Sequence, residues 1–268
     1  SYDDIVPWNS LSKEKREEMD LRMAIYAAMI DRMDQNIGRL INDLKSKRLY
    51  DNTVIMFLND NGACAENDML GSGPKEQLET KEGYLLSYGK AWANASNTPY
   101  RSYKHWTHEG GIGTPFIVHW LNGISEELKG STVNQYGFLQ DIMATCLDLA
   151  NTKIPEVFNG NKIKKHSGKS LTPIFRGSKE QIHKEPIFWE HEGNKAVRLG
   201  DYKLVQDWEK GVDDNWELYN ISKDRTEQNN LIDSLPGKSK EMILMYNDWA
   251  EKIGVIPWSE IQNIRAKK

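Results

Sequence analysis

Val54-Ile55-Met56-Phe57-Leu58-Asn59-Asp60-Asn61-Gly62 is the stretch on which the reading of this chain turns. Five consecutive apolar residues with β-branched and aromatic members predict a strand buried on both faces. The run stops at Asn59, and Gly62 lets the chain turn sharply behind it. Asp60 and Asn61 therefore stand side by side at the carboxyl end of a strand, which is where open α/β sheets bind their ligands. Both offer oxygen, which suits a hard cation such as Ca²⁺ or Mg²⁺ better than zinc. The same tetrapeptide is also ordinary turn chemistry, so taken alone it leaves both readings open.

About forty residues on, basic, imidazole and carboxylate groups crowd into Asn97-Thr98-Pro99-Tyr100-Arg101-Ser102-Tyr103-Lys104-His105-Trp106-Thr107-His108-Glu109-Gly110-Gly111. The stretch runs into Phe116-Ile117-Val118-His119-Trp120, which reads as another strand, so Lys104 falls on a loop able to lie beside the first strand end. A strand followed by Asp-Asn-Gly, then Thr-Pro-x-Arg-x-x-Lys, then Glu-Gly-Gly-Ile-x-x-Pro, resembles the type I sulfatases of the alkaline phosphatase superfamily, the bacterial arylsulfatases above all. The helix expected over 12–47, the segment Gly168-Lys169-Ser170-Leu171-Thr172-Pro173, and the C-terminal runs 196–205, 216–220 and 227–231 resemble the same family in the same order.

The resemblance implies an alkaline-phosphatase-like α/β sheet flanked by helices, of which residues 1–178 would be the C-terminal part. It implies that Asp60 and Asn61 ligate Ca²⁺, with Mg²⁺ the alternative, and that Lys104 contacts the sulfate. His105, Trp106 and His108, which flank that lysine, are candidate substrate-binding residues. Glu109 would brace the turn and not react. The implied reaction is hydrolysis of a small-molecule or carbohydrate sulfate ester, in the periplasm or outside the cell.

The family's nucleophile is a formylglycine made from Cys or Ser in a Cys/Ser-x-Pro-x-Arg motif. Ser72-Gly73-Pro74-Lys75-Glu76 has Glu in place of Arg, Asn97 cannot become an aldehyde, and Cys64-Ala65-Glu66 lacks the Pro. Asp3-Asp4 has no apolar strand before it, and reads as solvated, not as the family's early paired-aspartate motif. The expectation is therefore a C-terminal portion of a longer sulfatase, inactive alone, with formylglycine in an upstream N-terminal half that is also its partner. Two further readings stay open, a phosphate or phosphonate ester hydrolase of the same superfamily and a non-catalytic binding module.

Composition is compatible with this. A formal charge of −4 with mixed signs argues against a nucleic-acid surface, and no apolar run is long enough to span a membrane. Two cysteines are too few for a disulfide framework, and Cys146 reads as core. Met19, Met23, Tyr26, Ile30, Met33, Ile37, Leu40 and Leu44 form an apolar stripe on the first helix, capped by Ser10 or Ser12, with Asp31 and Asp34 on its solvated side. A second helix is expected over 133–149. The loop 63–96 shows no period, and Trp92 and Trp106 are candidates for a substrate wall. From residue 179 to 268, short strands separated by turns and then a helix over 235–253 predict a small α+β subdomain with an antiparallel sheet.

Overall fold

The computed structural model describes residues 5–65, 68–164, 166–209, 211–212 and 214–267; Asp3 and Asp4 lie outside them. In chain order its elements begin with α1 (Lys13–Ser46), β1 (Ile55–Leu58), α2 (Gly89–Ser96), α3 (Glu109–Ile112), β2 (Phe116–His119) and α4 (Asp141–Leu149). They continue with β3 (Val157–Phe158), β4 (Asn161–Lys162), α5 (Thr172–Phe175), β5 (Ile187–His191), β6 (Asn194–Leu199), β7 (Tyr202–Gln206), β8 (Trp216–Asn220), α6 (Pro236–Ile253) and α7 (Trp258–Arg265). The chain forms two compact units, one of Ser1–Leu40, Asn59–Pro115 and Pro186–Lys268, the other of Ile41–Leu58 and Phe116–Glu185.

In the first unit, β5 to β8 form an antiparallel meander in sequence order. Glu192 and Gly193, both at positive φ (51° and 88°), make the two-residue turn between β5 and β6, the conformation a type I′ hairpin demands. Alternation sorts the strands into two faces. Val197, Leu204, Trp216 and Leu218 meet Met242 and Tyr246 of α6. The opposite face carries Ala196, Val205, Tyr219 and Ile221, together with the alternating polar residues Lys203 and Glu217. Helix α6 starts with Pro236 in its first turn and stops at Gly254 with φ 75°, the left-handed conformation favoured just after a helix.

Ser12 Oγ accepts from Lys15 N (3.2 Å) and so caps α1. Only the opening turns of the α1 stripe are deeply buried. Met19 is enclosed, whereas Ile30, Met33 and Leu40 are exposed, as Asp31 and Asp34 are. The expected stripe thus exceeds the surface that covers it, because burial there comes from Arg22 and Trp92 contacts. Arg22, buried, donates to the carbonyls of Ser72, Gly73 and Ser87, and Trp92 Nε1 donates to Met19 O (2.8 Å). The segment 63–96 is accordingly held down, and it contains α2, which its irregular composition did not suggest.

In the second unit, β1 pairs antiparallel with β2, Ile55 opposite His119 and Leu58 opposite Phe116. Val54 is outside the strand, and β1 is half-buried instead of enclosed on both faces. Apolar composition alone states a need for cover; among the described residues only β2 pairs with it. Helix α4 begins at Asp141, not near 133, because the Asp141 carboxylate accepts from Phe138 N and Lys169 N and bonds to His183 Nε2 (2.6 Å), ending the irregular segment there. Its buried positions are Asp141, Ala144 and Thr145, so Cys146, a helical step of about 100° further round, is exposed and not core. His119, at the end of β2, stacks on Tyr50 at 4.6 Å.

Candidate functional site

The Asp60-Asn61-Gly62 turn and the Lys104 loop are stitched into one cluster. Gly62 N donates to Gly111 O (2.8 Å), Lys104 N to Ala63 O (2.9 Å) and Thr114 Oγ1 to Asn59 O (2.8 Å). Asn97 links both sides, accepting from Ala63 N and donating to Ser102 O. Three glycines make this approach feasible. A Cβ on Gly62 would stand 1.8 Å from Gly110 O, one on Gly110 would be 2.2 Å from Ser102 O, and one on Gly111 would be 2.0 Å from Trp106 O. Gly62 is thus required by close backbone approach, not by a left-handed turn as its place in the sequence suggests.

Asp60 is exposed, and its carboxylate has no partner among the described residues. Asn61 Nδ2 donates to Gly62 O (2.8 Å), which orients the amide and leaves Oδ1 as the ligating atom. A carboxylate and an amide oxygen on adjacent residues form the donor set a hard cation takes, and they fill only part of the six to eight positions calcium uses. Lys104 is half-buried, with Nζ 3.9 Å from Cys64 Sγ, so its side chain runs along the segment that follows Asp60 and Asn61. Ser102 and His105, two and one residues from Lys104, both adopt positive φ (71° and 99°), a conformation disfavoured for side-chain-bearing residues and common where a site is held in shape by its surroundings.

The remaining candidates separate. Trp106 is half-buried against Ala65, Ala93 and Tyr103. His105 is 41% exposed in its side chain and lies beside Glu192 (Nδ1 to carboxylate, 3.5 Å) and edge-on to His191. Burial, followed by the neighbouring His191, lowers its pKa. His108 is fully enclosed, with Nε2 3.1 Å from Glu217 and Nδ1 3.3 Å from Asp207. This differs from the substrate-facing position expected for it. Burial opposes its protonation, but hydrogen bonding to Asp207 and Glu217 prevails and raises its pKa.

The inward polar face of the sheet supports this loop. Arg101 donates to Glu217 and to the Tyr219 hydroxyl, and Thr107 Oγ1 to Lys195 O. Burial would raise the Glu217 pKa, but His108 and Arg101 hold it at about 2. Beneath α3, Lys203 Nζ sits 3.0 Å from both Glu109 and Glu227, all three essentially without solvent access. Glu227 also accepts from Glu109 N (2.8 Å), and Arg225 contacts the other Glu109 oxygen. Burial would raise the Glu109 pKa, yet the Lys203 ammonium keeps it at about 2. Glu109 thus braces its turn. Sequence reasoning passed over Lys203, Glu217 and Glu227; for the first two the available signal was charged residues alternating with apolar ones in strands, whereas Glu227 lies in the loop after β8. A polar cleft of about 400 Å³ lined by Thr98, Pro99, Tyr100, Arg101, Glu217 and Tyr219 contains none of Asp60, Asn61 or Lys104.

Comparison with known proteins matches residues 9–152 to the family described as Sulfatase. The chain belongs to the sulfatase family. A second family, described as N-sulphoglucosamine sulphohydrolase, C-terminal, matches residues 101–246. An uncharacterized sulfatase of Schizosaccharomyces pombe is 32% identical, covering 93% of this chain and 47% of the relative. The arylsulfatase of Klebsiella aerogenes is 38% identical over 41% of this chain and 26% of its own length. The N-acetylgalactosamine-6-sulfatase of Rattus norvegicus is 29% identical over 70% of this chain and 31% of its own length. The crystal structure of Ps i-CgsB superposes with a TM-score of 0.63 at 24% identity, covering 93% of this chain and 48% of that one. A structure in complex with its substrate D-glucosamine-2-N,6-O-disulfate superposes with a TM-score of 0.58 at 20% identity, covering 87% and 41%. These likenesses show the alkaline-phosphatase-like fold of the sulfatases. The chain spans about half the length of the S. pombe sulfatase and of Ps i-CgsB. Among the described residues no helix is long and apolar enough to cross a membrane.

Proposed function

We propose that this chain supplies the metal-ligand pair and the sulfate-contacting lysine of a hydrolase of sulfate monoesters, with sugar sulfates as the substrate class. The observation that carries this reading is the packing of Gly62 on Gly110, which keeps the Asp60-Asn61 turn and the Lys104 loop in one cluster. Relatives named for N-acetylgalactosamine-6-sulfate and a structural neighbour bound to a glucosamine disulfate support the choice of sugar sulfates. A sulfated polymer, too large to cross a membrane unaided, would be met outside the cytoplasm, which supports export.

Asp60 and Asn61 would hold a divalent hard ion, and when bound such an ion supplies Lewis-acid stabilisation of oxygens that gain negative charge. Lys104 donates hydrogen bonds to a sulfate oxygen, an interaction that strengthens as bond cleavage places charge there. Its backbone N–H is committed to Ala63 O, so the ammonium is aimed by a fixed main chain. His105 and Trp106 flank it and form the walls of the approach. Enclosed His108 and Glu109 position the loop through Glu217 and Lys203. The nucleophile, a formylglycine, is assigned to residues outside this chain.

The test combines this chain with the upstream segment the reading requires and follows release of sulfate or phosphate from matched sugar and aryl esters. Sulfate release is expected, with Lys104→Ala lowering kcat by roughly 10²- to 10³-fold and leaving the melting temperature little changed. Lys104→Arg should restore only part, since a planar fork does not replace a compact ammonium. Preference for the phosphate ester, binding without turnover, or a wild-type kcat in Lys104→Ala would overturn the assignment.

A further inference from the structure

We infer that His105, His191 and Glu192 form a second metal site, for a borderline transition ion such as Zn²⁺, distinct from the hard oxygen pair Asp60 and Asn61. One ligand atom from each of the three residues lies within 4.8 Å of the others. Two imidazoles and one carboxylate match the ligand type of three-coordinate protein sites for zinc, which leave a fourth position open. Reaching the tetrahedral donor separation of about 3.4 Å requires movements of roughly 1 Å by side chains that are exposed or half-buried.

The backbone beneath these side chains is already organised. Asn194, 1% exposed, has its Oδ1 fixed by the Trp208 N–H (2.9 Å), so its amide nitrogen faces the other way. That nitrogen donates to His191 O (3.1 Å) and His105 O (3.4 Å), clamping the main chains of both imidazole residues with one side chain. The same nitrogen lies 3.2 Å from His105 Nε2, so ligation through Nδ1, which puts the ring proton on Nε2, requires the ring to turn slightly away from Asn194. His105 is held at φ 99° and Glu192 at φ 51°, in the loop of Lys104 and in the tip of the β5–β6 hairpin respectively. Arg265 approaches only the Oε1 oxygen of Glu192 (4.0 Å), while Oε2 faces His105 Nδ1. An ion bound here would join the Lys104 loop to the hairpin.

The experiment titrates the purified protein with Zn²⁺ in saturating Ca²⁺ by calorimetry, and with Co²⁺ by visible absorption, alongside His191→Ala and Glu192→Gln. One Zn²⁺ per chain is expected, with d–d bands from Co²⁺, a rise in melting temperature on Zn²⁺ addition, and at least about tenfold weaker binding in each variant. Glu192→Gln keeps the backbone conformation and the shape of the side chain, so it reports on the ligand and not on folding. Failure to bind Zn²⁺ at concentrations up to roughly 100 μM, or binding that neither variant weakens, would overturn the proposal.

Discussion

Replacing Lys203 by Met should unfold more of the site's support than any exposed substitution. The ammonium lies 3.0 Å from Glu109 and from Glu227, and none of the three side chains is more than 4% exposed. Met matches the stem in volume, so no large cavity forms; what remains is two carboxylates without their shared cation. Glu109 keeps Arg225, but Glu227 keeps only the Glu109 N–H. Removing one partner of a buried pair costs about 3–5 kcal/mol. The depressed Glu109 pKa gives a compatible figure: a shift from 4.5 to about 2 corresponds to roughly 3 kcal/mol. A loss of this size lowers the melting temperature by roughly 6–20 °C in a chain of this length. Because the folded pKa is depressed, the Glu109 contribution is present above about pH 4.5 and is lost as pH falls toward 2. Urea unfolding of wild type and Lys203→Met at pH 7 and pH 4 is the assay, with the gap expected to narrow at pH 4. Adding Glu227→Gln should recover part of the loss. A destabilisation below about 1 kcal/mol at pH 7 would show that the triad is not what holds α3 on the sheet.

Three further outcomes follow from the site. Asp60→Ala should weaken Ca²⁺ binding more than Asn61→Ala, since a carboxylate brings full charge and an amide a dipole; isothermal titration decides, and unchanged affinity in Asp60→Ala would reduce the segment to a turn. Gly62→Ala places a Cβ 1.8 Å from Gly110 O, a backbone atom that cannot rotate away, so stability should fall by at least about 1–3 kcal/mol and Ca²⁺ affinity with it; a variant that melts like wild type would mean the two loops are not in contact. The raised His108 pKa makes its stabilising contribution fully present below about pH 6.5 and lost as pH rises through its higher folded value; His108→Gln should flatten that part of the stability profile, as read by denaturant midpoints from pH 5 to 9.

Much was legible in the linear sequence because it depends on local chemistry. Val54 to Leu58 announces a strand, Ser12 caps α1, Glu192-Gly193 turns a hairpin, and the alternation of residues 195–205 produces antiparallel pairing. The family likewise follows from motif order, which backbone sterics constrain: an alanine at position 62, 110 or 111 would collide with main chain. Tertiary structure alone decided what lies beneath those motifs. Residues 59–115 and 186–268 fall in one compact unit, so Lys203, Glu217 and Glu227, far away in sequence, become the partners of Glu109, Arg101 and His108. The same grouping puts His108 inside, and in the other unit the packing of α4 through Asp141, Ala144 and Thr145 leaves Cys146 outside, the reverse of what their neighbours in sequence suggest. A periodicity records which residues share a face, but which faces meet depends on long-range packing, and the value of a buried charge depends on the partner that packing brings to it.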